Sequence, residues 1–471
     1  MYSDIASRLL RRAMLFYARR MNPERMRERS RVAALKLALR AAACSPAYRT
    51  VLREQGVNIA ALNLRSDFSS LPILTKANTF QRFSLAELSR PIPSSELADV
   101  LTSSGRCGRN FGFRLTARKQ HEGSWFDIDL GLQDVFDVDR TQTLLVNCLP
   151  MGVAFRSRAV AVANVSVRED MACSVLLHVG PRFGQTLLCS DPLFIRRVLD
   201  QGRVMGVDWQ ALNTSVILGE EMVVEAQRDY IAARMGIDVD HDPCRMIGSS
   251  FGIGELGLNL LFESRETIRI RRAMRNSEAI RLLVAGRSDG SLPSVFCYNP
   301  LRCHVEVIDA DAHGCGELCI TVTDSHAVIL LPRYASGDYG RLVSPEQVVQ
   351  AACLAGTDVP WLPVAVVFGR IADRAPHYPS VEEIKEILYL DHGVADRLSG
   401  AFRLSSDWQG VRLTVQASSE ESADDPDLRS KLTGLLNRGS WSRLRVEILS
   451  PVAFPCRPIL DFERKFAYVA T

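Results

Sequence analysis

The sequence predicts an α/β protein of more than one domain, and three observations carry the prediction. From about residue 98 to 300 short apolar runs alternate with helix-patterned segments, the rhythm of βαβ units and a largely parallel sheet. From about 301 the pattern turns β-rich: "HVEVIDA" and "GELCITVTD" flank the turn-forming "DADAHGCG", as in an antiparallel hairpin or a small barrel. From about 369 a helix is followed by strands, a compact α+β unit of about a hundred residues. With 471 residues and 47% hydrophobic content the chain has ample material for a large core, and its length argues for two or more domains.

Residues 1–97 read as a helical lead-in, with "RVAALKLALRAAAC" the clearest helix. Its first stretch mixes Arg8, Arg11, Arg12, Arg19 and Arg20 with Ile5, Leu9, Met14, Leu15 and Phe16, a basic amphipathic helix expected to dock on the domain. Membrane contact is not expected, and no apolar run approaches the ~18 residues that span a bilayer. In the alternating region "TLLVNCLP", "SVLLHV", "QTLLCS" and "SVILGEE" read as buried strands, and "DPLFIRRVLDQG" and "VVEAQRDYIAARMG" as helices. In the last region "VEEIKEILYL" reads as a helix and "GVRLTVQAS" and "SRLRVEILS" as strands, with a mobile acidic loop, "SSEESADDPD", between them.

Composition narrows the function. Lys plus Arg is 57 against 54 Asp plus Glu, a net charge of +3, so no global basic field recommends a nucleic acid partner. The twelve cysteines are scattered with no CxxC pair and no secretory leader, which suits reduced thiols and a cytoplasmic location. Cys297, Cys303, His304, Cys315 and Cys319 cluster without zinc-ligand spacing and are expected to be buried thiols.

Three polar constellations stand out. "LTSSGRCGRNFGFRLT", residues 101–116, combines hydroxyls, glycines and Arg106 and Arg109, the groups a polyphosphate needs, although an ordinary glycine-rich hairpin loop has the same look. "MIGSSFGIGELGLN", residues 246–259, sets Glu255 among glycines and apolar residues. An unpaired buried carboxylate costs several kcal/mol, so Glu255 either faces a cleft and holds a cation or hydroxyl, or opens a helix at "ELGLNLLF". "LPRYASGDYGRL", residues 331–342, presents Asp338, able to accept two hydrogen bonds from a diol, and Arg333, able to meet an anion. The bland alternative is a turn aspartate.

In this order the three resemble the adenylate-forming enzymes, the superfamily of acyl-CoA synthetases, peptide-synthetase adenylation domains and luciferases, and among them the phenylacetate–coenzyme A ligase branch. "YRTVLREQGVNIAALNLRSDFSSLPILTK" is similar to that branch's N-terminal signature, "TSSGRCGR" to the phosphate loop, and "FGIGELG" to the aromatic-Gly-x-x-Glu motif. "HVEVID…GELCITVTDSHAVILLPRYASGD" is similar to the Arg-Tyr…Gly-Asp block, "VVFGRIAD" to the hinge strand and "LDFERKFAYV" to the terminal lysine segment. The resemblance implies a large multi-subdomain adenylation domain over 1–368, with a helical lead-in (1–97), an α/β core of parallel-rich sheets (98–300) and a β-rich subdomain with a small β-barrel (301–342). A small mobile α+β lid domain would follow over 369–471.

It also implies ATP and Mg2+ as cofactors, a small-molecule carboxylic acid as substrate, and a thiol or amine acceptor, a carrier protein among the choices, in a monomer or homodimer. Ser103, Ser104, Gly105 and Gly108 would lie over the ATP phosphates, Glu255 would bind magnesium, and Phe251, with Gly252 beside it, would pack on the adenine or acyl group. Gly219 and Glu220 would flank the adenine, Asp338 would hold the ribose hydroxyls, Arg370 would reach the nucleotide from the hinge, and Lys465 would bridge carboxylate and α-phosphate. Two departures accompany the matches. Arg106, Cys107 and Arg109 stand where the loop usually has threonines and a lysine, and only Ile371 to His377 separate Arg370 from "YPS". The second leaves coenzyme A an optional acceptor, and together they keep open a catalytically degraded scaffold or acyl/nucleotide sensor.

Overall fold

The structure, a computed structural model, describes residues 2–103, 111–150, 152–374, 378–407, 410–438, 441, 444–455 and 468–469. The strands are β1 (Leu97–Ser103), β2 (Gly112–Ala117), β3 (Thr143–Asn147), β4 (Ala161–Asn164), β5 (Gln185–Ser190), β6 (Thr214–Leu218), β7 (Ile247–Ile253), β8 (Gly257–Phe262), β9 (Ser294–Tyr298), β10 (Cys303–Ile308), β11 (Gly316–Val322), β12 (Tyr334–Leu342), β13 (Val364–Arg370), β14 (Leu398–Asp407), β15 (Gly410–Ala417) and β16 (Arg445–Leu449). Among the described residues β3 to β13 form one eleven-stranded sheet in the order β10-β11-β12-β13-β9-β8-β7-β6-β5-β3-β4. The pairings from β4 to β7 are parallel. From β7 to β10 every pairing is antiparallel.

The α/β class predicted from the alternation is thus the class observed. Strands β3 and β5 are buried along their whole length, because helices cover both faces of a parallel sheet. Leu144 and Val146 face the helices Glu169–His178, Phe194–Met205 and Glu225–Met235, while Leu145 and Leu149 face the helix Arg118–Phe136. One expected strand is a helix: "SVLLHV" continues Glu169–His178, which carries Glu169 and Asp170 in its first turn and buries Ala172, Cys173 and Leu176 along one side. Of the two forms expected for the β-rich segment, the hairpin is found. Strands β10 and β11 pair antiparallel and run on through β12 into the large sheet instead of closing on themselves.

The separate small sheet, β14-β15-β16, lies in the C-terminal region. It is docked on the parallel half of the large sheet, since Ile384, Leu388, Phe402 and Leu432 share one apolar core with Val198, Tyr230 and Ile231. Polar ties reinforce the contact: Arg196 donates to the Ala395 carbonyl at 2.7 Å, and the Tyr230 hydroxyl to Asp396 at 2.8 Å. At the same junction Lys385 Nζ donates to Glu221 at 2.7 Å, and the Tyr468 hydroxyl donates to the same carboxylate at 2.6 Å. Burial first, and then the charge of Glu221, push the neighbouring Asp191 carboxyl up to about 7. The acidic segment expected to be mobile is held instead. Ser419 caps a helical turn, Glu420–Ala423, and Arg397 pairs with Asp425 and with Asp427 at 3.1 Å.

The N-terminal helix docks through Arg11, fully buried against Asp139, and through Leu15, while Ile5, Leu9 and Phe16 on its other side are exposed. Among the described residues no helix is long and apolar enough to cross a membrane.

Candidate active site

Strand β1 ends at Ser103, and the turn after β7 brings Glu255 to meet it. The meeting depends on two glycines. A Cβ on Gly254 would lie 2.8 Å from that of Ser103, and a Cβ on Gly112 would lie 2.2 Å from Glu255 Oε1. With both absent, Ser103 Oγ donates to Glu255 Oε1 at 2.9 Å and accepts from the Gly112 N–H at 3.0 Å.

A third group completes the corner. Lys76 Nζ stands 2.7 Å from Glu255 Oε1 and 2.8 Å from Ser103 Oγ. Its segment is pinned to β12, because the Leu74 N–H donates to the Arg333 carbonyl at 2.9 Å and the Ala335 N–H to the Leu74 carbonyl at 2.8 Å. The Tyr334 hydroxyl donates to Glu255 from the start of β12, and burial, with that carboxylate beside it, raises its pKa well above the ordinary value, so it remains a donor. Lys76 was absent from the residues expected in the site. The "LPILTK" turn contained it, but the ion pair spans 179 positions of sequence and only the fold closes it.

Farther along β12, Asp338 is buried and stands directly opposite Arg370 of β13 in the antiparallel register. These two expected nucleotide contacts therefore share one position of the ladder. Gly219 and Glu220 follow the end of β6. The Gly219 N–H donates to the Ser190 carbonyl at 3.0 Å, and Glu220 adopts a left-handed backbone, φ 72°, that non-glycine residues rarely take. Gly252 has no room for a side chain, since a Cβ would lie 3.0 Å from the Leu258 backbone.

Two expectations need correcting. Arg333 does not face an anion site. Its left-handed backbone, φ 51°, turns the guanidinium inward, where it donates to the Ser69 and Leu71 carbonyls and to Glu306 at 3.2 Å. The side chain is spent on holding the 69–71 segment against the sheet. Phe251, expected on the adenine or the acyl group, does not line the cavity below and so is not on its acyl side; its ring packs 6.3 Å from that of Phe296. The segment after Glu255 is strand β8 and not a helix, so Glu255 does not open a helix at "ELGLNLLF". Ser104, Gly105, Arg106, Cys107, Gly108, Arg109 and Lys465 lie outside the described residues.

Beside the corner opens a cavity. Ser103, Gly219, Glu220 and Gly252 stand among its lining residues, and the rest of the lining is dominated by aliphatic side chains between the helix Arg118–Phe136 and the sheet.

Magnesium commonly takes one or two carboxylates and completes its shell with phosphates and water at ~2.0–2.1 Å. Glu255 Oε1 already receives the Lys76 ammonium and the Ser103 hydroxyl, and Tyr334 donates to the same carboxylate. As these residues stand they do not fit the ion, because Lys76 holds the place of the positive charge. Among the described residues no three His, Cys, Asp or Glu side chains gather as a metal site. Cys297, Cys303, Cys315 and Cys319 are buried free thiols, and burial pushes Cys303 up to about 12.

No family model matches the chain, and no curated relative does. Solved structures of a 2-hydroxyisobutyryl-CoA ligase do match in shape. With its postadenylation state, in complex with 2-HIB-AMP, the TM-score is 0.67 at 14% identity, over 96% of this chain and 90% of that one. Its thioesterification state with 2-HIB-AMP and CoA gives 0.54 at 14% identity over 96% and 90%, and its open conformation 0.52 at 14% over 93% and 90%. The eleven-stranded sheet, the small C-terminal sheet docked on it and this likeness over nearly the whole length lead to one conclusion: the chain has the fold of the adenylate-forming ligases.

Proposed function

We propose that the chain activates a carboxylic acid with ATP. A carboxylate oxygen attacks the α-phosphorus, the bond to the bridging oxygen of pyrophosphate breaks, and acyl-adenylate and pyrophosphate result. A thiol or amine then attacks the acyl carbon and AMP leaves, with coenzyme A one of the acceptors considered. The observation that carries this reading is an apolar cavity whose lining reaches Ser103, the hydroxyl that meets Glu255 and Lys76 at the corner. A carboxylate approaching a polyphosphate brings two anions together, and a preorganised cation and hydroxyl at that place lower the barrier as charge develops.

In this reading Lys76 and Ser103 meet the phosphates, with Ser104, Gly105 and Gly108 continuing the loop, and no step is derived through magnesium. Asp338 holds the ribose hydroxyls, Arg370 reaches the nucleotide from the next strand, and Gly219 and Glu220 flank the adenine. Residues 1–368 form the adenylation domain and 369–471 the lid, which carries Lys465 to the α-phosphate. A reducing, cytoplasmic setting suits the free thiols. Acid-dependent exchange of labelled pyrophosphate into ATP tests the reading, and Asp338→Ala should raise the ATP KM by a factor equivalent to about 2–4 kcal/mol. One observation favours a second reading, a nucleotide or acyl sensor on a degraded scaffold: Lys76 already neutralises Glu255. Tight ATP binding without exchange would mark that alternative.

A further inference from the structure

Resting on the activation just proposed, the lining of the cavity bears on which acid is used. Ile128, Leu132, Val135 and Phe136 enter it from the helix Arg118–Phe136, and Leu145 and Ile217 from β3 and β6. The space is made by missing side chains. Gly131 sits mid-helix, where glycine costs ~1 kcal/mol relative to alanine, and Gly248 and Gly252 face it from alternate positions of β7. A Cβ on Gly131 would meet only the Asn259 amide, at 3.7 Å.

The polar groups of the lining are largely engaged. Ser250 Oγ donates to Asn259 Oδ1 at 2.9 Å. Glu263 takes both its oxygens to Arg228 at 2.9 Å and accepts the Ser249 N–H at 2.8 Å. Its charge is thereby neutralised before any substrate arrives. Glu220 stands after the end of β6, among the groups assigned to the nucleotide. No Lys, Arg or His is among the described lining residues. Among the described lining residues a second carboxylate deep in the cavity would find no cation, and an ammonium beside Ile128 to Phe136 would lose its water among aliphatic side chains.

We propose that the acid is an apolar monocarboxylic acid whose uncharged alkyl or aryl-alkyl chain lies along the helix Arg118–Phe136. Ile128 and Phe136 stand eight helical steps apart, about 12 Å at ~1.5 Å rise per residue. An extended chain on the order of eight to ten carbons, with bonds of ~1.5 Å, fills that length. Gly131 is the residue that sets the depth.

The test is pyrophosphate exchange with acetate, butanoate, octanoate, decanoate, phenylpropanoate, succinate and leucine, together with calorimetric binding of decanoate. From butanoate to octanoate kcat/KM should rise by about fourfold per methylene, the factor for burying one CH2. Succinate and leucine should fall at least a hundredfold below octanoate, and phenylpropanoate against octanoate separates the aryl source from the alkyl one. Gly131→Leu should lower the decanoate-to-butanoate ratio by about a hundredfold. Gly131→Ala, which favours the helix, should move the ratio the same way by a smaller step.

Exchange that prefers succinate or leucine, or a ratio untouched by both substitutions, overturns the apolar acid while leaving acid activation standing. Decanoate binding that Gly131→Leu abolishes, without exchange from any acid, upholds the apolar cavity and overturns the activation.

Discussion

Two buried glutamates, Glu263 and Glu255, lie eight residues apart on either side of β8 and are held in opposite ways. Glu263 belongs to a closed network with Glu225, Arg228 and Arg271, and all four side chains have no exposure at all. Two carboxylates face two guanidiniums, with Arg272 adding a third cation at 3.2 Å from Glu225. Glu255 is also almost fully buried, at 2% side-chain exposure, but its cationic partner Lys76 is 31% exposed and can turn away. A closed network satisfies its charges permanently and fixes the sheet against the helices Glu225–Met235 and Arg265–Ala273. An open pair keeps a charge that an incoming anion can claim. Burial alone therefore does not distinguish a structural carboxylate from a reactive one, whereas the freedom of its partner does.

Breaking the closed network should have the largest effect. Arg228→Met removes one of the two guanidiniums that Glu225 and Glu263 share, leaving two buried carboxylates on Arg271, and should destabilise the fold by about 3–5 kcal/mol, read by urea unfolding. At the open corner the balance reverses. Glu255→Gln should cost no more than about 1 kcal/mol of stability, since the amide still accepts from Ser103, yet reduce acid-dependent exchange by about 10²–10³. Equal losses of stability in the two variants would erase the distinction between them.

The junction with the C-terminal unit sharpens the comparison through pH. The Asp191 carboxyl, raised from 3.8 to about 7 by burial and by Glu221, faces Lys385, Tyr389 and Tyr468 as well. Between pH 4 and 7 the folded chain holds a proton that the unfolded chain has released, so stability falls as pH rises through that window and stays low above it. Asp191→Asn keeps the neutral form and an oxygen for the Leu193 and Phe194 N–H groups. The variant should lose that slope and gain about 2–4 kcal/mol at pH 8, measured by denaturant unfolding at pH 5 and 8. A slope unchanged in the variant would assign it to another group. The smallest effect is expected for Lys76→Met, which removes one charged hydrogen-bonding partner. Exchange should drop roughly ten- to a hundredfold with the ATP KM raised, and an unaltered KM would remove Lys76 from the phosphates.

What the sequence revealed follows which contacts are local. Strand β5 was legible because a strand buried on both faces carries consecutive apolar residues, here Leu187, Leu188 and Cys189. "SVLLHV" was misread for the same reason, since a short apolar run inside a helix has no visible period, and its acidic first turn lies farther upstream. Glu255 stood out because a carboxylate among glycines is conspicuous, but the glycine that makes room for its side chain is Gly112 of β2, more than a hundred residues away, and Gly254 makes room for Ser103. Lys76 and the inward turn of Arg333 were hidden, because both depend on the 69–76 segment crossing β12, a contact between stretches more than 250 residues apart.

Exchange of labelled pyrophosphate into ATP, with and without octanoate, reads the proposed chemistry most directly. Exchange that requires both protein and acid, and that Glu255→Gln suppresses by at least a hundredfold without unfolding the chain, is the predicted result. A folded wild-type protein that binds ATP but exchanges no pyrophosphate with any acid of the panel would contradict acid activation.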